Sequence, residues 1–328
     1  MPTTPNRNFF VIRDDTPIPA RLKGAVLAIG NFDGLHRGHR AVISAALRLA
    51  APTGAPALAV TFEPSPRRFF TPNVPQFHLT EEREKLRLMA ATDLDGTVVM
   101  TFNAARAATE AADFINHDLI ARFSPAGIVA GFDFHFGKGR KGTPDFLISE
   151  GARLGVPVEI VQRFDWQGGR VSSGNIRNAL IAGDLAAANT MLGYPYFATG
   201  TVIHGDKRGR ELNYPTANIR LDPGCGLKHG IYAVRAAVDG RLVEGVASFG
   251  RRPMFDNGAA LLEVHLFDFA ADLYDKVLDV AFIARIRDEA TFDSLDALIR
   301  QMDDDSIKAR AALSAAPDAF PKLGAIGS

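Results

Sequence analysis

Two histidines three residues apart, His36 and His39, follow a glycine-bearing loop in the segment GNFDGLHRGH. Gly30 and Gly34 permit a tight turn after a buried strand, and the histidines stand where a helix begins, so both imidazoles face one side. A helix N-terminus offers unpaired amides and a partial positive charge, which suits the phosphates of ATP. The same residues read equally as a glycine loop with capping histidines. A zinc site would need a nearby acidic or cysteine ligand that the pair lacks.

Other segments carry chemistry of the same kind. In TFEPSP the prolines turn the chain out of a sheet and leave Glu63 at its rim. In GFDFHFGKGRKG, Asp133 lies between aromatics that suit a flat ring, and the basic stretch after it suits phosphate; a loop that closes the core under solvated lysines fits as well. VSSGNIR opens a helix with Ser172 and Ser173 and places Arg177 one turn in, which serves capping and phosphate binding alike. In GTVIHGDKRGRELNYPTANI, backbone amides of the loop holding Gly205, Lys207, Gly209 and Arg210 can cradle phosphates. Thr216 and Asn218 supply neutral oxygens for magnesium or phosphate, although no Walker Gly-Lys-Ser/Thr is present and both also suit an ordinary turn. LLEVHLFDF alternates as a strand does, so Glu263 shares a face with His265 and is either a general base at a barrel wall or a solvated strand residue.

The elements that must position these residues come in two textures. From Ala25 to Val161, short apolar runs alternate with amphipathic stretches: AVLAIGNF, a helix over about 36–50, LAVTF, a helix after Thr80, TVVMTF, a helix near 109–122, GIVAG, a helix over about 144–154, and VPVEIV. This rhythm predicts a parallel sheet with helices on both faces, and the first three chemical segments fall at its strand ends, where such sheets bind ligands. Beyond a helix through Ile176–Ile181 and a joining segment, the runs FATGTVI, IYAVRAAV, LVEGVASF, LLEVHLF and VLDVAFI are short and β-rich, with Asp239-Gly240 as a hairpin turn. They predict a small antiparallel barrel. A closing helix over about 293–312, capped by Ser294 or Asp293, would set Leu295, Leu298, Ile299 and Met302 on one face. The boundary falls at residues 187/188, giving domains 1–187 and 188–328.

At 328 residues, two domains with cores of their own are expected. Lys plus Arg balances Asp plus Glu at 37 each, so no overall field draws in nucleic acid or an anionic membrane. Cys225 is the only cysteine, which excludes an internal disulfide and suits a reducing cytoplasm. The first residues lack the apolar core of a signal peptide, and no run approaches about 18 apolar residues, so a cytoplasmic protein is expected.

In order along the chain, GNFDGLHRGH, TFEPSP, LTEEREKL, GFDFHFG, SSGNIR, GTVIHGDKRGRELNYPTANI, GIYAV, LEVHLFDF, DLYD and RIRDE resemble the bacterial bifunctional riboflavin kinase/FMN adenylyltransferase (FAD synthetase) family, over nearly the whole chain. The resemblance implies a Rossmann-like nucleotidyl-transferase domain in which the phosphate of FMN attacks the α-phosphorus of ATP, giving FAD and pyrophosphate. His36 and His39 match its histidine motif, with Asn31 and Arg177 assisting, and Glu63 and Asp133 match positions near the flavin. It implies next a riboflavin kinase barrel, where the ribityl 5′-hydroxyl takes the γ-phosphoryl of ATP to give FMN and ADP. There Glu263 matches the general base, Thr216 and Asn218 the magnesium and phosphate ligands, and Gly205 to Arg210 the segment covering the nucleotide. A monomer or weak homo-oligomer is expected. Ser65, Gly174, Asn213, Tyr214 and Met254 depart from the familiar pattern. The competing readings are an adenylyltransferase whose barrel only binds flavin as a regulator, and a dinucleotide oxidoreductase, which lacks its Gly-x-Gly-x-x-Gly.

Overall fold

Uninterrupted apolar runs make strands that are buried on both faces, and the computed structural model places them at the centre of a parallel sheet. It describes residues 9–14, 16–204, 214–251 and 260–326. The chain forms two compact units: one holds the residues up to Val74, Thr80–Ser172 and the tail from Lys322, the other Pro75–Leu79 and Ser173–Pro321.

In the first unit, β1 (Phe10–Arg13), β2 (Val26–Ile29), β3 (Ala57–Glu63), β4 (Gly96–Thr101), β5 (Gly127–Gly131) and β6 (Val158–Val161) run parallel in the order β1-β4-β3-β2-β5-β6. Helices α1 (Arg37–Ala50), α2 (Pro66–Phe70), α3 (Glu82–Ala90), α4 (Ala104–Ala108) and α5 (Ala111–Asp113) fall between the strands, as does α6 (Pro144–Leu154). α5 continues in π geometry through Phe114–Ala121, burying Phe114, Ile115 and Leu119. α6 has the limits its sequence predicts, because Thr143 caps it, Pro144 opens it, and Gly155 (φ 71°) ends it. The order of strands reverses at β2, which lies between β3 and β5, so the loops leaving these three strands flank one crevice. The short helices α2 and α4 escaped the sequence reading, and so did two β features. β1 has four residues and one buried side chain, too few to show a period, and a hairpin of β7 (Asp165–Trp166) and β8 (Gly169–Arg170) turns through Gln167 and Gly168, both at positive φ.

In the second unit, α7 (Ser173–Ala182) and α8 (Leu185–Leu192) precede a closed antiparallel barrel. Its strands β9 (Phe197–Ile203), β10 (Ala217–Arg220), β11 (Gly230–Val238), β12 (Arg241–Arg251), β13 (Ala260–Leu266) and β14 (Val277–Arg287) close in the order β10-β13-β12-β11-β14-β9. Asp239 (φ 47°) and Gly240 (φ 79°) make the expected tight β11–β12 turn. Tyr232, Phe249, Leu262, Val264 and Phe282 fill the interior with no exposed surface. The final helix, α9 (Leu295–Ser314), is capped by Ser294 as expected. Leu295 is 56% exposed and Leu298, Ile299 and Met302 are half-buried, while further along the same side, at the same three- and four-residue spacing, the helix buries Asp305, Ala309 and Leu313. Arg287 grips Asp305 through two bonds of 2.8 and 2.6 Å, while buried Arg235 donates to the Leu313 carbonyl at 2.8 Å in the last turn. These charge-assisted contacts anchor the second half of the helix, and Phe267 of the barrel's outer face packs beneath Ala309 and Leu313.

Candidate active sites

The loop between β2 and α1 is built against backbone preference. Phe32 (φ 52°) and Leu35 (φ 32°) are non-glycine residues at positive φ, each costing about 1–2 kcal/mol. Both side chains are completely buried, and burial of a Phe or Leu is worth about 1.5–3 kcal/mol, enough to hold the turn. From the other side, Gly34 N donates to Thr80 Oγ1 at 2.9 Å, and Thr80 N donates to Asp33 Oδ1 at 3.0 Å.

His36 is the N-cap of α1, and its Nδ1 accepts the His39 amide at 3.2 Å. That bond leaves Nε2 as the donor of the His36 ring. The two imidazoles stack with centroids 3.6 Å apart and an interplanar angle of 14°, so the sequence expectation that they share one side holds. Gly38 makes room for this: a Cβ there would lie 3.2 Å from His36 Cε1 and Nδ1. Beside them Arg37 lies over the ring of Trp166 at 4.2 Å.

Glu63, at the end of β3, pairs with Lys85 of α3, a side chain only 4% exposed. The same ammonium reaches Thr61 Oγ1 at 3.3 Å and the Asn31 carbonyl at 3.4 Å. Ser65, one of the departures from the family pattern, caps α2 by accepting the Arg68 amide. Asp133 is exposed beyond β5, 3.5 Å from Arg170 of β8, whose guanidinium lies 5.6 Å from the Phe132 ring. The loops leaving β2, β3 and β5 meet in a cavity of about 50 Å³ walled by Asn31, Phe62, Phe102, Phe114, Phe134 and Phe136. A larger polar hollow of about 470 Å³ adjoins it, sharing Arg106 and Thr109. Thus Gly30, Asn31, His36, His39, Glu63 and Asp133 gather at the carboxyl end of one sheet. Ser172 ends the first unit, whereas Ser173 and half-buried Arg177 belong to α7 of the second.

In the barrel, Glu263 stands directly opposite Asn218 in the β10–β13 ladder and opposite Ser248 in β12. Residues directly opposite share a face, so these three side chains form a row across adjacent strands. Leu262, Val264 and Leu266 point inward, as the alternation predicts. The chain entering β10 is anchored just ahead of Thr216: the Tyr214 hydroxyl donates to Asp303 of α9, and His265 Nδ1 bonds the Pro215 carbonyl at 2.9 Å. Burial, then the Asp303 carboxylate, pushes the Tyr214 phenol above its ordinary pKa. Among the described residues no group of three His, Cys, Asp or Glu forms a metal cage. The oxygens of Thr216 and Asn218 beside a carboxylate suit a hard divalent ion that keeps water and phosphate ligands. Gly205, Lys207, Gly209, Arg210, Asn213 and Met254 lie outside the described residues.

The FAD synthetase family model matches residues 18–175 and the riboflavin kinase model residues 192–313. The chain belongs to the bifunctional riboflavin kinase/FMN adenylyltransferase family. It is 41% identical to the family member of Pseudomonas fluorescens, over 90% of this chain and 95% of that one. With the Escherichia coli K12 protein of the same name it shares 38% identity over 88% and 92%. A crystal structure described as a macrolide-efflux protein from Streptococcus pneumoniae superposes with a TM-score of 0.82 at 31% identity, covering 92% of this chain and 98% of that one. Among the described residues, no helix is long and apolar enough to cross a membrane. The two halves of this family member therefore each carry a candidate site with its own residues. The sequence reading missed Lys85, Thr80, Gly38 and Ser248. Lys85 and Thr80 both fall in the LTEEREKL segment, which alone signals only a helix start.

Proposed function

We propose that this chain phosphorylates riboflavin to FMN and then adenylylates FMN to FAD, with ATP as donor in both steps. The observation that carries the two-activity reading is the register of Asn218 against Glu263, since a barrel that only bound flavin has no need of a carboxylate beside a phosphate-side ligand. In the kinase half, residues 188–328, Glu263 acts as general base towards the ribityl 5′-hydroxyl. Thr216 and Asn218 hold Mg²⁺, which supplies charge neutralisation at the transferred phosphoryl group, and the segment with Gly205, Lys207, Gly209 and Arg210 covers the nucleotide.

In the adenylyl-transfer half, residues 1–187, the attacking phosphate of FMN is already ionised, so alignment and electrostatic stabilisation suffice. His36 donates from Nε2 to the ATP phosphates, His39 braces its ring by stacking, and the α1 amides add positive potential beside Gly30 and Asn31. Ser172, Ser173 and Arg177 assist on the phosphate side. Glu63 and Asp133 border the flavin, which enters between the aromatic walls. The cavity of about 50 Å³ between those walls adjoins the hollow of about 470 Å³, which is within the roughly 300–1,000 Å³ of small-molecule sites. The protein works in the cytoplasm as a monomer or weak homo-oligomer, a state that size-exclusion chromatography with light scattering would read directly.

Glu263→Ala separates the activities. It should abolish FMN formation from riboflavin while FAD formation from supplied FMN continues; equal loss of both in folded protein would refute the division of labour.

A further inference from the structure

Lys85 is buried beneath the β2–α1 loop, and every acceptor it meets belongs to a strand end that carries a candidate site residue. Its ammonium binds Glu63 of β3, Thr61 Oγ1 at 3.3 Å, and the Asn31 carbonyl at 3.4 Å. Thr61, with no exposed surface, donates its own hydroxyl to the same Asn31 carbonyl at 3.2 Å. The carbonyl is thereby fixed towards the protein interior by two donors. In a trans peptide the N–H points opposite to the C=O, so the following amide, that of Phe32, is aimed away from Lys85. A buried ammonium also needs its charge balanced, and Glu63 supplies the balance from the rim of the neighbouring strand.

We propose that Lys85 is a positioning residue for adenylyl transfer: it fixes the peptide plane at Asn31 and ties the flavin-side carboxylate Glu63 to the nucleotide-side loop. The inference rests on the adenylyl-transfer reading of this loop. Its physical content is that loss of the ammonium frees the Asn31 peptide to rotate, so that ATP meets a loop whose donors are no longer aligned. The consequence falls on the binding of ATP, and it depends on the presence of Glu63 only through charge balance.

The test is the KM for ATP in FAD formation from FMN, with the KM for ATP in riboflavin phosphorylation by the same polypeptide as an internal reference. Lys85→Met should raise the first about tenfold, the scale of one lost charge-assisted bond, and leave the second unchanged. A role in stability alone lowers the folded fraction, which reduces apparent kcat without moving KM. Because Lys85→Met strands a carboxylate, the double variant Lys85→Met, Glu63→Met restores balance and should keep the raised KM. Thr61→Val, a near-isostere that retains Lys85, should raise it about threefold. If wild-type protein forms FAD but KM stays within twofold in every variant that folds, Thr61→Val included, the positioning role is wrong. If wild-type protein forms no FAD from FMN, the underlying assignment of the site fails instead.

Discussion

Replacing Gly38 with alanine places a methyl group 3.2 Å from Cε1 and Nδ1 of His36 and 3.6 Å from Phe164 Cβ. Alanine in place of glycine within a helix is worth about 0.5–1 kcal/mol of stability. Against this, the imidazole must shift by a few tenths of an ångström, and the His36–His39 cap, already at 3.2 Å, loses its geometry. A side-chain cap contributes about 1 kcal/mol, so the two effects nearly cancel and the unfolding midpoint should move little. Activity should not be spared. Removing a preorganised donor at a developing charge costs about 10²–10³ in kcat, and displacing one should cost about tenfold to a hundredfold. Chromatographic separation of riboflavin, FMN and FAD over time measures both reactions in one sample. FAD formation should fall while FMN formation from riboflavin holds steady. FAD formation within about twofold of wild type, in protein of unchanged stability, would mean that the stacked pair does not need its observed geometry.

Three further outcomes follow from the barrel. Tyr214→Phe removes the hydroxyl that joins the Pro215 segment to Asp303, so riboflavin phosphorylation should drop about threefold to tenfold, the scale of one hydrogen bond, with no change in FAD formation from FMN. Burial pushes the Tyr232 phenol up to about 12, above the ordinary value near 10. Between those values the unfolded chain loses the proton first, so stability is intact below about pH 10 and declines as the pH rises towards 12; urea midpoints at pH 9 and 11.5 should show a slope that Tyr232→Phe flattens. A fragment starting at residue 188 cuts through α8 and discards the Asp184 cap and buried Leu185, so it should melt lower than one starting at Ser173. Differential scanning calorimetry of the two fragments would decide this, and equal midpoints would count against a stabilising role for α7 and the start of α8.

The elements legible in the sequence were those with a period long enough to register. The buried runs of β2 to β5 and the barrel strands β9 and β11 to β14 declared themselves, and α6 carried both its cap and its terminating glycine. β1 and β10 have four residues each and no clean alternation, and α8 is a short helix in a stretch that reads as a linker. At the sites, residue types were readable where they stood in one segment, as with His36 and His39 or the outward side of β13. Partners were not. Lys85 lies 54 residues from Asn31 and 22 from Glu63, and Asn218 meets Glu263 only because the barrel closes in one register. The side of α9 that packs was legible in its spacing; what was not is that burial falls on its second half, where Arg287 and Arg235 of the barrel hold it.

β1, the short strand at the margin of the parallel sheet, bears on where this chain can be shortened. The family match begins at residue 18, so trimming to that limit would discard Phe10–Arg13. β4 would then become an edge, with its amides and carbonyls bare along Gly96–Val99. Thr97, Val98 and Val99 are almost wholly buried, and they carry none of the charges or prolines that protect natural edges from pairing with a second molecule. The first strand is thus a guard against self-association, and a shortened chain should precipitate while keeping every residue of both candidate sites.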